Sequence, residues 1–278
     1  AEEGKAMKGK NWREYEPPKR RRRRRRKGGL LRKLCFALVL FLVGYVGFLV
    51  YYNFGKPYTV ALDAGHGGAD VGAEGVIQEV ALTEQTVAEL QTLLEEDGRF
   101  RVVLSRKAGE GATVTERNHK FRRRHPDLML SVHGNASDSS SANGFECYPS
   151  PPGYENYEES LAFATCLAQE MQNIGANLRG TGIAGVRYGY YDENGNKLLC
   201  DSSDTTVYSY DTFGMLKNMS CPAVLAEQCF ITNPSDVESF GTEEGCQRAA
   251  QAYYKAICNY LEHTKKESPL SGRSNKTV

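Results

Sequence analysis

The sequence predicts an α/β protein. One folded domain covers residues 53–264 and is built on a central twisted sheet, mostly parallel or mixed, with helices on both faces. One transmembrane helix precedes it. Three observations carry this reading. Short apolar runs alternate with amphipathic helical patterns along residues 58–263, as they do where a sheet is wrapped by helices. Three of those runs end in a polar residue: Tyr58-Thr-Val-Ala-Leu62 before Asp63-Ala-Gly-His-Gly-Gly68, Asp127-Leu-Met-Leu-Ser-Val132 before His133, and Pro222-Ala-Val-Leu-Ala226 before Glu227. Ligands in open α/β sheets gather at such strand ends. The third observation is the 19-residue stretch Leu34–Tyr52, which holds no formal charge.

The formal charge of +1 hides an asymmetry: 15 Lys/Arg against 4 Asp/Glu over residues 1–52, and 20 against 30 thereafter. Residues 1–29 read as a disordered, basic cytoplasmic tail with an unbroken Arg20–Arg26 run. Residues 30–52 read as a signal anchor. As a helix, the uncharged part spans about 28 Å, against a hydrocarbon core of about 30 Å. The basic flank places the N-terminal side in the cytoplasm, with Arg32 and Lys33 at the membrane edge and Tyr51 and Tyr52 at the opposite interface. No small-x-small site follows, which favours an uncleaved anchor over a cleaved signal peptide. The arginine run then holds topology and meets anionic lipid, and no nucleic-acid partner is expected.

Beyond the glycine loop, Glu79–Asp97 is expected to be a helix with Val80, Leu82, Val87, Leu90, Leu93 and Leu94 as its apolar face. Phe100–Leu104 is a short strand. Thr113–Arg124 is a helix, Pro126 starts the strand that carries His133, and Gly144–Tyr148 is another strand. Glu155–Gly175 is a helix. Glu193-Asn-Gly-Asn196 signals a hairpin inside the Tyr- and Asp-rich segment 180–214. Val224–Glu227 is the last core strand, Thr242–His263 the closing helix, and 265–278 a polar tail. Seven cysteines lie outside the span, an odd number without a C-x-x-C spacing, so no pairing can be assigned. Cys166 and Cys258, on helical patterns, read as buried thiols.

Taken in order, DAGHGG after its strand, Glu79-Val-Ala-Leu-Thr83, Val103-Leu-Ser-Arg106, Thr115-Glu-Arg-Asn118, Ser131-Val-His-Gly-Asn-Ala136, and Pro222–Glu227 with Phe230-Ile-Thr-Asn-Pro234 form a specific series. From about Tyr58 to His263 the chain resembles the zinc-dependent N-acetylmuramoyl-L-alanine amidases, the amidase type 3 family of bacterial cell-wall hydrolases. The resemblance implies one zinc ion (Zn2+) held by His66, Glu79 and His133, with the fourth position open. Two imidazoles and a carboxylate are independently the donor set of a catalytic zinc. The resemblance also implies Glu227 as general base. Arg106 and Arg117 stand at family-like positions, where they pair either with substrate carboxylates or, preferably, with structural acids. Asn135 is expected to orient the loop around His133.

The implied reaction is hydrolysis of the amide between N-acetylmuramic acid and L-alanine in peptidoglycan. The enzyme would act outside a bacterial cytoplasmic membrane, in cell-wall or spore-cortex remodelling. The rivals are an inactive murein-binding regulator and a zinc peptidase cutting within the stem peptide. Two features depart from the family pattern. Cys229 replaces a usual glycine and raises the question of redox sensitivity. Tyr188 to Tyr210 exceeds a minimal domain; its tyrosines suit stacking on sugars or contact with a cell-surface regulatory protein, or else they are core cover.

Overall fold

The computed structural model describes residues 28–55 and 58–267; the Arg20–Arg26 run and residues 268–278 lie outside the described residues. The chain divides into two compact units, residues 1–50 and 51–278. The first helix, α1 (Gly28–Phe54), contains an apolar stretch, Leu31–Tyr51, long enough to cross a membrane. Its large hydrophobic side chains, Phe36, Phe41 and Val43 among them, are exposed.

The larger unit is organised by a five-stranded sheet in the order β2-β1-β3-β8-β4. Strands β1 (Tyr58–Ala64), β2 (Phe100–Leu104), β3 (Leu128–Asn135) and β8 (Ala223–Phe230) run parallel; β4 (Glu146–Pro149) is an antiparallel edge. The mixed sheet follows from the chain path. The helices α2 (Glu79–Glu96) and α3 (Val114–Arg122) supply the crossovers from β1 to β2 and from β2 to β3. The chain then reverses into β4, and β8, reached only after a further helix and the small sheet, inserts between β3 and β4.

Side-chain alternation divides the strands between two cores. Val60, Leu62, Leu130, Val132, Val224 and Ala226 face the layer formed by α2, α4 (Tyr157–Asn173) and α6 (Glu243–Glu267). Ala61, Met129, Leu225 and Tyr148 face the other side, where Phe121 of α3 and the irregular segment Phe213–Cys221 cover them. Complete burial of side chains such as Leu62, Leu90 and Phe163 stabilises the fold by roughly 1.5–3 kcal/mol each. The second face is therefore thinner, and it is the face on which His133 and Glu227 fall by period two.

Several boundaries move for local reasons. Thr113 is not the first residue of α3 but its cap: its hydroxyl accepts from Glu116 N, and the Glu116 carboxylate accepts from Thr113 N. The expected Gly144–Tyr148 strand shifts to Glu146–Pro149, because Phe145 bonds instead to Asn177 and Arg179. The last strand extends to Phe230, and α6 runs to Glu267, beyond the expected His263. A short helix, α5 (Pro234–Phe240), was not legible as such, although Asn233 caps it and Pro234 opens it. The Asn-Gly signal does mark a hairpin. Strands β5 (Arg187–Tyr191) and β6 (Lys197–Asp201) pair, and β7 (Asp211–Thr212) joins them in a separate sheet of order β6-β5-β7.

Candidate metal centre

His66 just after β1, His133 near the end of β3 and Glu227 in the second half of β8 meet at the carboxyl side of the sheet. His133 on β3 is in register with Glu227 on β8, which is in turn in register with Glu146 on β4. Three polar groups thus form a row across three strands, on the thinner face.

After β1 the chain turns through His66 with φ of 61°, a left-handed conformation that costs a non-glycine residue about 1–3 kcal/mol unless its surroundings enforce it. Two buried arginines enforce it. Arg117 donates to Asp63 Oδ1 (3.0 Å), Ala64 O (2.7 Å) and His66 O. Arg106 donates to Ala64 O (3.1 Å) and Gly65 O (3.0 Å), and pairs with Glu84. Both guanidiniums brace the loop from behind, and neither lines the cleft at the site. Gly65 lies against the His133 ring, and a Cβ there would stand 2.5–2.8 Å from ring atoms.

His66 Nδ1 lies 3.0 Å from both carboxylate oxygens of Asp70, which leaves Nε2 facing Glu79 Oε1 at 3.1 Å. His133 Nδ1 is 2.9 Å from the same oxygen. Glu79, at the first turn of α2, also accepts from Gly134 N (3.1 Å) and Ala73 N (3.0 Å). The helix N-terminus favours its negative charge. Ligand atoms of His66, Glu79 and His133 lie within 4.8 Å of one another.

The three side chains are electrostatically coupled through Glu79. The hydrogen bond to Glu79, followed by that carboxylate's charge, raises His66 to about 9 against the opposing effect of burial. Burial pulls His133 down, but the Glu79 hydrogen bond and the charge of Glu227 outweigh it and leave the ring raised. Burial pushes Glu79 up, yet hydrogen bonds to His133 and His66 hold it well below the usual carboxylate range. Two imidazoles and one carboxylate oxygen converge, and Asp70 orients His66 from behind. The residues fit a single catalytic-type zinc and its supporting shell.

Glu227 is 9% exposed, and its Oε2 is buried without a hydrogen-bond partner among the described residues. Burial above all raises it to about 7; His133 and Lys197 oppose this, while Glu79 and Glu146 add to it. Glu146 was missed by sequence reasoning. A lone charge in the apolar run Phe145–Tyr148 was the available signal. Glu146 is fully satisfied, accepting from Asn135 Nδ2 (2.6 Å), Tyr148 Oη (2.7 Å), Arg179 Nε (3.0 Å) and Arg187 Nη1 (3.1 Å). Asn135 ties β3 to Glu146 through Nδ2, while its Oδ1 accepts from Ala136 N in the chain that leaves His133.

A cleft of about 420 Å³ opens over these groups, lined by the metal trio, Asn135, Tyr191, Lys197, Phe213 and Glu227. Of the five tyrosines expected for stacking, Tyr188 and Tyr190 are core residues instead, at 0% and 1% exposure. Alternation along β5 turns them inward and leaves Tyr191 on the cleft side. Tyr208 stacks on Tyr210 (5.7 Å) and packs against Tyr190. Cys229 is wholly buried and burial raises its thiol far up, which makes it an inert core residue rather than a redox sensor. The described cysteines are all free. His119 and His125 are exposed and distant from the trio's cleft, His119 lining a separate basic surface with Lys120, Arg123 and Arg124.

The Asp63–Arg117 pair yields a stability prediction. Asp63 also accepts from Ser131 Oγ at 2.6 Å, and both partners are buried. Removing one partner of a buried pair costs about 3–5 kcal/mol. Asp63→Ala should lose that much in denaturant unfolding, and a loss below about 1 kcal/mol, the level of an exposed pair, would contradict the bracing role.

The class is thus an α/β protein whose sheet carries, at its carboxyl edge, a His-Glu-His group that could hold a metal ion, flanked by a buried glutamate. The family model for N-acetylmuramoyl-L-alanine amidases of type 3 matches residues 60–259, and the chain belongs to that family. It is 31% identical over 204 residues to the amidase LytC of Bacillus subtilis, covering 73% of this chain and 35% of LytC. The catalytic domain of the amidase CwlV from Bacillus (Paenibacillus) polymyxa var. colistinus shares the fold at a TM-score of 0.59 and 24% identity, over 74% of this chain and 98% of that one. So does the CwlD amidase of Clostridioides difficile, solved in complex with the GerS lipoprotein, at 0.55 and 21%, over 74% and 99%. The chain spans 35% of LytC and 55% of the probable amidase AmiB of Haemophilus influenzae.

Proposed function

We propose that the protein is a zinc-dependent N-acetylmuramoyl-L-alanine amidase that strips stem peptides from peptidoglycan. The carrying observation is the His66–Glu79–His133 trio on the cleft floor with Glu227 in register beside His133. His66 Nε2, His133 Nδ1 and Glu79 Oε1 would hold the zinc. When bound, the metal supplies a Lewis acid that polarises the scissile carbonyl and acidifies water. Glu227 takes the proton of the attacking water and passes it to the nitrogen of L-alanine as the C–N bond breaks. A carboxyl raised toward neutrality by burial suits both transfers. Glu146, held ionised by its four donors, does not compete for that proton. Arg106 and Arg117 hold His66 in its turn.

Mass spectrometry of defined muropeptides after incubation with the protein tests the reading. Expected products are the free disaccharide and an intact stem peptide beginning with L-alanine. Cleavage inside the stem would make the protein a peptidase. Binding of murein without cleavage, by zinc-loaded protein, would make it a regulator of other enzymes.

We further propose that α1 is an uncleaved single-pass anchor with its N-terminus in the cytoplasm and the amidase domain outside. The support is its length, its apolar composition and its basic N-terminal flank. Protease added to intact protoplasts should digest the domain and spare the basic segment. A secreted form beginning after Tyr52 would refute the anchor. A cell-surface partner is proposed at the outer part of the Tyr188–Tyr210 segment, where Val207 is 68% exposed beside the stacked Tyr208 and Tyr210. The complex of CwlD with the GerS lipoprotein lends support from a protein of the same fold. A spore-cortex role belongs to this proposal as well.

A further inference from the structure

The β5–β6 hairpin sends one cation into the cleft. Lys197 opens β6 opposite Tyr191 of β5 and is the only lysine or arginine among the described residues that line the cleft. Its Nζ stands 5.0 Å from the Phe213 ring centroid and 5.6 Å from that of Tyr148. Those two rings meet edge to face at 5.0 Å, and Tyr191 abuts Phe213 at 5.7 Å. Gly189 makes this floor possible, since a Cβ there would fall 2.2 Å from the Phe213 ring. The ammonium is thus held over aromatic faces, where cation–π attraction orders it without neutralising it.

No ion pair engages Lys197 among the described residues. The arginines that could have met an acidic substrate are engaged elsewhere: Arg106 and Arg117 on the β1 loop, Arg179 and Arg187 on Glu146. The charge of Lys197 is nevertheless felt by Glu227. Glu227 is the group that hands a proton to the departing amine, so the stem peptide leaves the reaction centre on the Glu227 side. The first free carboxylate along that peptide then comes within the field of Lys197.

We infer that Lys197 is a specificity-determining residue that binds the first free carboxylate of the stem peptide, making the protein selective for carboxylate over carboxamide stems. The inference rests on the amidase reading for its direction of approach. Lys197 is exposed in the free protein, and a carboxylate that seats against the same aromatic floor desolvates the pair and gains more than at an open surface, whereas an uncharged amide gains little.

The test uses the full, zinc-loaded chain and two disaccharide peptides that differ only in a carboxylate or a carboxamide at that position. Lys197→Met keeps the stem lying on the rings, and Lys197→Arg keeps the charge. In cleavage assays, Lys197→Met should lose roughly tenfold or more in kcat/KM on the carboxylate ligand, chiefly through KM. The carboxamide ligand should show only the change in kcat, common to both ligands, that follows from removing the Lys197 charge near Glu227, with KM unmoved, and Lys197→Arg should recover most of the loss. Calorimetric binding of the same ligands to Glu227→Gln and to Glu227→Gln/Lys197→Met should show the same selective loss without any turnover. Equal losses on both ligands, or none on the carboxylate one, would overturn the assignment. If the parent cleaves neither ligand at the muramoyl amide, the amidase reading fails, and the binding arm still decides what Lys197 recognises. Unchanged thermal melting of both variants separates a binding loss from damage to the hairpin.

Discussion

Glu227→Gln is expected to keep the metal and the fold while turnover on purified wall material falls by about 10²- to 10⁴-fold, the usual contribution of a positioned general base. Gln has nearly the same shape and cannot accept the proton. The environment sharpens the expectation. Glu227 lies within β8, 9% exposed, with Oε2 unpaired, so its charge is costly in the resting protein. A purely structural carboxylate would be tied up as Glu146 is, by four donors. The amide variant should also be at least as stable as the parent near neutral pH. Its value is raised from the ordinary 4.5 to about 7, so the acid form is favoured by folding: that stability is full below about 4.5, is lost as pH rises to about 7, and changes no further above it. Activity that stays within a few-fold of the parent would assign Glu227 to structure.

His66→Ala and His133→Ala should each lose most of the bound zinc, measured as metal per chain after dialysis against a weak chelator. The expected drop exceeds the 10- to 100-fold in affinity that removal of an outer-shell partner costs. Asp70→Ala supplies that milder comparison, because Asp70 orients the His66 ring, and accepts from Gly72 N, without belonging to the trio. The folded state should survive in the histidine variants, since the trio sits at the rim of the sheet and the cores of Leu62, Leu130 and Val224 are untouched. Full zinc occupancy in either histidine variant would remove that residue from the ligand set.

Much of the architecture was readable because it depends on local periodicity. The runs that end at Leu62, Val132 and Ala226 are short, apolar and bounded by glycine or proline, which is enough to place three strand ends. Alternation along Tyr58–Ala64 already separates Val60 and Leu62 from Ala61 and Asp63. The hairpin was legible from Asn194-Gly195, whose backbone demand is local. Less was readable where pairing decides. Glu146 looked like an incidental charge until β4 was seen to run antiparallel beside β8, with Glu146 facing Glu227. The arginines offered two partners each from sequence, and only the fold shows Arg117 threading to Asp63 over a separation of 54 residues.

By itself, the sequence determined the order of the main strands and helices, the family and the three polar residues that close apolar runs, since each is written in spacing along the chain. The tertiary structure decided which charges face the cleft. It withdrew Arg106 and Arg117 into the loop brace, buried Tyr188 and Tyr190, and brought Lys197 over Phe213 and Tyr148. The physical reason is that a side chain's role depends on what desolvates and neutralises it. Those neighbours come from strand register and from elements far apart in the chain, which no local pattern encodes.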